Sequence, residues 1–194
     1  MKEKMILLIV SLLCISFTAC AVSEGQNGSQ EIKQQKIEGS KLKEKNGVYH
    51  YEGDPYTGKV VGYYPAGMVR FVVEMEEGVA NGKGLKYYRT GDVYIKTKFV
   101  DGKETGKIIK YHKDGSISTV GTLKNGKRHG EFTGYYRTGE VSAKKKFKKG
   151  KKHGEQIKYF KSGEVMEKSK YKKGEKIKQI RYNDSGEVIY KFEK

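Results

Sequence analysis

Tryptophan is absent from the 194 residues, and there are only two prolines, Pro55 and Pro65, and two cysteines, Cys14 and Cys20. Both cysteines fall in the first twenty residues. The remainder therefore has no disulfide framework, no thiol nucleophile and no cysteine metal site. Proline scarcity leaves backbone N–H groups free to donate along sheet ladders. Long apolar runs are equally scarce. The one run of note, residues 5–17, has 13 residues, against the roughly 20 that a helix needs to cross a bilayer. The 25 glycines do not recur every third residue, which excludes a collagen helix. The 15 tyrosines and 7 phenylalanines are too many for a disordered chain.

What remains at the amino terminus reads as an export signal. Lys2 and Lys4 precede the apolar run, which ends in Phe17-Thr18-Ala19-Cys20. A short basic start and a 7–15-residue apolar stretch form a signal peptide, here residues 1–19. The closing four residues resemble the bacterial lipobox, in which the cysteine is acylated and becomes the mature terminus. Phe17 stands where leucine is usual, and cleavage after Ala21 is the rival reading. Cys20 is thus the expected lipidation site, and an exported, membrane-anchored lipoprotein of the cell envelope or outer surface is expected. Two or more acyl chains are needed for stable anchoring. Residues 20–45 are rich in Gln, Ser, Gly, Lys and Glu and contain no aromatic residue, the composition of a disordered tether.

From residue 46 onward the chain is periodic. Gly58, Gly82, Gly106, Gly130 and Gly154 are 24 residues apart, as are Gly67 to Gly163 and Gly78 to Gly174. A sixth unit, with Gly186 as its middle glycine, arrives one residue early. Aromatic pairs such as Tyr87-Tyr88 precede each middle glycine, and a β-branched residue such as Val93 follows it by two. Counting from the first glycine as zero, apolar residues favour positions 3, 5, 11, 13 and 17, which in the second unit are Leu85, Tyr87, Val93, Ile95 and Phe99. Spacing by two is strand periodicity. Triplets such as Arg89-Thr90-Gly91 read as three-residue hairpin loops with Gly in the left-handed region. Folding there predicts Tyr87 opposite Val93 and Leu85 opposite Ile95. A second turn, at Gly78, Gly102 and their equivalents, is expected to bring position 17 opposite position 3 of the next unit, keeping all these residues on one face. The predicted fold is all-β, an elongated single-layer antiparallel meander of repeated hairpins with about 12 strands.

The Tyr-Tyr-x-x-Gly pattern followed by a Gly-Lys turn resembles the bacterial MORN-repeat-variant family, over residues 46–194. The resemblance implies a binding or scaffold array. Some relatives bear an antitoxin-like or regulatory label, the alternative function, although an antitoxin works in the cytoplasm and the signal segment argues against it here. Similar repeats also accompany plant phosphoinositide kinases. This chain has no nucleotide loop, catalytic Asp motif or room for a kinase domain, so no kinase activity is expected.

Charge divides the array. The net charge is +17 overall, yet residues 47–101 hold seven basic and seven acidic residues, while residues 144–178 hold fifteen Lys against four Glu. Lys144, Lys145, Lys146, Lys148 and Lys149 form the densest run and are candidates for contact with anionic lipid, an acidic glycan or an acidic protein. The plainer reading is a solvated face that keeps the sheet soluble. Nucleic acid fits the charge, but no recognition signature is present. The second residues of the aromatic pairs, Tyr64, Tyr88, Tyr136 and Phe160, are expected to face away from the core or flank the turn, and are the other binding candidates. Chemistry is otherwise missing. His129 and His153 recur at one turn position without a third ligand, His112 replaces a tyrosine in packing, and Gly82-Lys83-Gly84 lacks the strand–loop–helix setting of a phosphate loop. No catalytic residue, metal or cofactor is expected, and the protein is read as no enzyme.

Overall fold

Seven pairs of adjacent residues have φ > 0 at both positions: Asn46-Gly47, Glu52-Gly53, Glu77-Gly78, Asp101-Gly102, Asn125-Gly126, Lys149-Gly150 and Lys173-Gly174. That conformation is the two-residue type I′ hairpin turn, whose twist matches that of the strands it joins. In the computed structural model, which describes residues 36–194, the last five of these turns alternate with the three-residue loops to build the meander. Its strands are β5 (Gly58–Tyr63), β6 (Val69–Glu76), β7 (Val79–Tyr87), β8 (Val93–Val100), β9 (Lys103–Tyr111), β10 (Ile117–Lys124), β11 (Lys127–Tyr135), β12 (Val141–Lys148), β13 (Lys151–Tyr159), β14 (Val165–Lys172), β15 (Glu175–Tyr182) and β16 (Val188–Glu193). Each pairs antiparallel with its sequence neighbours in one open sheet. The loops close as the spacing predicts: Tyr88 N–H donates to Asp92 O at 2.8 Å, and Gly91 N–H to Tyr88 O at 3.1 Å.

The segment before the meander departs from expectation. The tether is read as extending to residue 45, but β1 (Lys36–Glu38) pairs parallel with β5, and a 3₁₀ turn (Gly39–Lys41) leads to a small sheet of β2 (Lys43–Lys45), β3 (Val48–Tyr51) and β4 (Asp54–Pro55). The reason is apolar. Ile37 is buried with Tyr56, Val60 and Met75, and Leu42 packs on that cluster. Two apolar side chains in a polar stretch are enough to seat it on a ready-made surface. The signal segment and Cys20 lie outside the described residues.

Register brings the main correction. Tyr87 does pair with Val93, but Lys86 pairs with Ile95, Leu85 with Lys96 and Gly84 with Thr97. One extra residue, Tyr94, forms a β-bulge. The same bulge falls at Arg70, Ser118, Ser142, Met166 and Ile189. A second irregularity occurs at the first glycine of the second to fifth units. Lys96 pairs with Ile109 and Lys98 with Thr105, so two extra residues bulge around Gly106, whose φ is +72°. Phe99 therefore faces Glu104 and not Ile109. Each slip of one residue reverses the face on which the following side chains point. In the sixth unit this bulge is one residue smaller: Lys170 pairs with Lys178 and Tyr171 with Lys176. The missing residue of that unit was thus removed from a bulge, which costs no ladder position.

The buried face consequently carries positions 2, 13, 15 and 17 in place of 3, 5 and 11, although Val61, at position 3 of the first unit, is itself fully buried. Ile95, Ile108, Leu123, Phe132 and Phe147 form its central cluster. Bulges increase twist, and neighbours within the same sheet supply the burial. Where two aromatic rings need room, the partner is glycine. An added Cβ on Gly62 would overlap the Phe71 ring, and one on Gly121 the Phe132 ring.

Repeats are also stapled at their turns. Gly102 N–H donates to Ala80 O, Gly126 N–H to Glu104 O and Gly150 N–H to Arg128 O, at 2.8–2.9 Å. Lys149, with φ +50°, occupies the position that Asn125 fills one repeat earlier. Asn tolerates this conformation better than a long side chain. Lys149→Asn is therefore expected to stabilise the array by about 0.5 kcal/mol, read as a raised urea midpoint at unchanged slope.

Candidate interaction surfaces

Alternation along β12 separates the five candidate lysines. Lys145 pairs with Phe132 on one side and Gln156 on the other, and shares the buried face with Ala143 and Phe147. Lys144, Lys146 and Lys148 are exposed on the opposite face, and Lys149 sits in the turn. A single five-lysine patch, as the run suggests, therefore does not form. The reason is the period of two.

The exposed face of the last repeats is nonetheless a lysine array. Lys168, Lys170 and Lys172 of β14 repeat Lys144, Lys146 and Lys148 of β12. Two strand spacings, roughly 10 Å, separate equivalent residues. Glu131 lies opposite Lys146, and Glu155 opposite Lys170. Lys144 and Lys168 instead flank Ile157, leaving a cationic row with an apolar residue between its members.

On the buried face one row of side chains crosses the whole sheet. Val60 pairs with Val73, Val73 with Gly84 and Gly84 with Thr97; Ile108 pairs with Gly121, which carries the Phe132 ring. Thr97 is the one polar member of this part of the row; from Lys145 onward the row is polar. It continues as Gln156, Ser169 and Gln179 before reaching Phe192. Gln156, Ser169 and Gln179 are each no more than 6% exposed. Gln156 donates to Lys146 O at 2.9 Å, but its side-chain oxygen has no partner. Burial pushes the Lys145 ammonium below its usual pKa, and the neighbouring Lys152, Lys158 and Arg128 push it further.

Beside this row Glu167 bridges two cations, Lys158 at 3.3 Å and Arg181 at 3.5 Å, and accepts from Ser169 Oγ at 2.7 Å. Burial opposes its charge, but the Ser169 hydroxyl, the Lys158 ammonium and the Gln179 amide hold the carboxyl below the usual range. On the other side cations lie on rings: Arg128 over Phe147 at 4.0 Å, and Lys152 over Tyr171 at 4.8 Å.

The aromatic candidates have a structural task. Tyr64 Oη donates to Tyr87 O, Tyr88 Oη to Tyr111 O and Tyr136 Oη to Tyr159 O, at 2.6–2.8 Å, each tying one repeat to the next. His112 makes the same tie through Nε2 to Tyr135 O at 3.1 Å. Phe160 has no hydroxyl to donate. It lines a cleft of about 580 Å³ with Lys158, Met166, Arg181 and Ile189. A larger apolar cleft, about 980 Å³, lies where the amino-terminal segment crosses β5 and β6, with Leu42, Val60, Phe71 and Met75 in its wall. Neither cleft is legible from spacing, because both depend on which segments cross. Among the described residues no three His, Cys, Asp or Glu side chains are placed to hold a metal ion.

Comparison with known proteins finds the family described as MORN repeat variant at residues 128–149 and 152–173, two adjacent units of the array. No curated protein matches the chain.

Proposed function

Because the chain carries repeats of the MORN repeat variant family, a repeat-based binding or scaffold module, we propose that it is an exported lipoprotein whose second half contacts an anionic surface. Cys20, at the end of the lipobox-like segment, is the anchor. The lysine rows on the exposed face of β12 and β14 are the contact. The observation that carries this reading is the repetition of Lys144, Lys146 and Lys148 as Lys168, Lys170 and Lys172 on one face. A lysine near an anionic bilayer contributes about 1 kcal/mol, attenuated beyond a Debye length.

Replacing Lys144, Lys146, Lys168 and Lys170 by Ser is expected to weaken sedimentation with phosphatidylglycerol vesicles at least tenfold, with a shallower salt dependence. Lys145→Ser, on the other face, should leave it unchanged. Equal losses from both variants would retire the exposed face as the contact. Labelled acyl incorporation is expected to require Cys20, and a Cys20→Ala protein that fractionates like the parent would refute the anchor.

A further inference from the structure

The polar stretch of the buried face has a charge spacing of its own. On β13 the side chains of Lys152, Gln156 and Lys158 share this face, and on β15 those of Lys176, Gln179 and Arg181. Each of these strands thus sets a glutamine between two cations. Between them β14 contributes Glu167, Ser169 and Tyr171. Glu167 already bridges Lys158 and Arg181. Among the described residues Lys152 and Lys176 have no carboxylate within 4 Å; both lie against the Tyr171 ring, at 4.8 and 6.0 Å, and Lys176 Nζ donates to Gln179 Oε1 at 2.9 Å. The face therefore offers cations once per repeat, with an aromatic ring between them.

We propose that this face, from Lys152 to Arg181, binds an acidic glycan whose carboxylates recur once per disaccharide. The proposal does not depend on the exposed lysine rows, which lie on the other side of the sheet. Spacing selects the ligand class. Equivalent residues of β13 and β15 are two strands apart, roughly 10 Å. A disaccharide is about that long, so carboxylates on alternate rings meet successive cations. An extended acidic peptide presents same-side carboxylates at roughly 6.7 Å, twice the strand rise, and falls out of step after one repeat. Tyr171 supplies a flat apolar surface for a ring face.

The test uses the detergent-solubilised full chain and three probes: an oligosaccharide of alternating glucuronate and N-acetylglucosamine, a poly-glutamate of equal charge, and neutral dextran. By calorimetry the alternating oligosaccharide is expected to bind about tenfold more tightly than poly-glutamate, and dextran not at all. Lys152→Ser with Lys176→Ser is expected to weaken it about tenfold. Tyr171→Leu, which leaves every charge in place, should weaken the oligosaccharide but not poly-glutamate. The variant lacking Lys144, Lys146, Lys168 and Lys170 should bind the glycan as the parent does. Poly-glutamate binding as tightly as the oligosaccharide, or full affinity in the Lys152/Lys176 variant with its circular dichroism unchanged, would overturn the proposal. Loss of vesicle binding alone bears only on the exposed face.

Discussion

Phe132→Ala is expected to cost the array about 3–5 kcal/mol, the range for removing a buried phenylalanine. Phe132 is 7% exposed, lies edge-to-face with Phe147 at 5.3 Å and covers Gly121. It belongs to the cluster that joins the second to the fourth repeat. A repeat array is stabilised mainly by nearest-neighbour contacts, so the loss should be felt locally. Urea unfolding is expected to become broader or biphasic, with early proteolysis between β10 and β12. The glycine beneath the ring gives an independent check. Gly121→Ala alone should be destabilising, because its Cβ overlaps the ring. In the Phe132→Ala background it should be nearly neutral, since the overlapping atoms are gone. A loss under 1 kcal/mol for Phe132→Ala, or additive effects of the two changes, would show that this ring does not hold the middle repeats together.

The second large effect has the opposite sign. Replacing Lys145 by Val and Gln156 by Ile is expected to stabilise the carboxy-terminal repeats by about 2 kcal/mol. The Gln156 side-chain oxygen is buried without a partner, a defect that costs about 1–3 kcal/mol. The Lys145 ammonium is disfavoured by burial and three neighbouring cations. Val and Ile extend the apolar row already formed by Val60, Val73, Ile108 and Phe132, at about 0.8 kcal/mol per buried methylene. Ser169 and Gln179 are kept, because both support the Glu167 carboxylate. Thermal unfolding followed by circular dichroism reads the gain. A lower midpoint in the double variant would mean that Lys145 and Gln156 belong to a satisfied network and are not a stability deficit.

Read residue by residue, the sequence already determined the repeat length, the positions of both turn types and the all-β class. Those features rest on local demands. Gly91 and Gly102 adopt φ of +93° and +72°, conformations that exclude most other residues, so the need is written at the position itself. His112 was likewise legible as a tyrosine substitute, because its neighbours in the period name its role. Legible too was the concentration of lysine in residues 144–178.

Tertiary structure alone decided the faces. The bulge residues Arg70, Tyr94, Ser118, Ser142, Met166 and Ile189 share no chemistry, so nothing local marks them. A bulge exists only in relation to the strand opposite. Leu85 and Ile95, both apolar and apparently in step, end on opposite faces for that reason. The same relation aligns Lys145, Gln156, Ser169 and Gln179 from four different strands into one row. The amino-terminal segment shows the complementary case: Ile37 and Leu42 carry too weak a pattern to announce strands, and only the apolar surface of β5 and β6 gives them a place to bind.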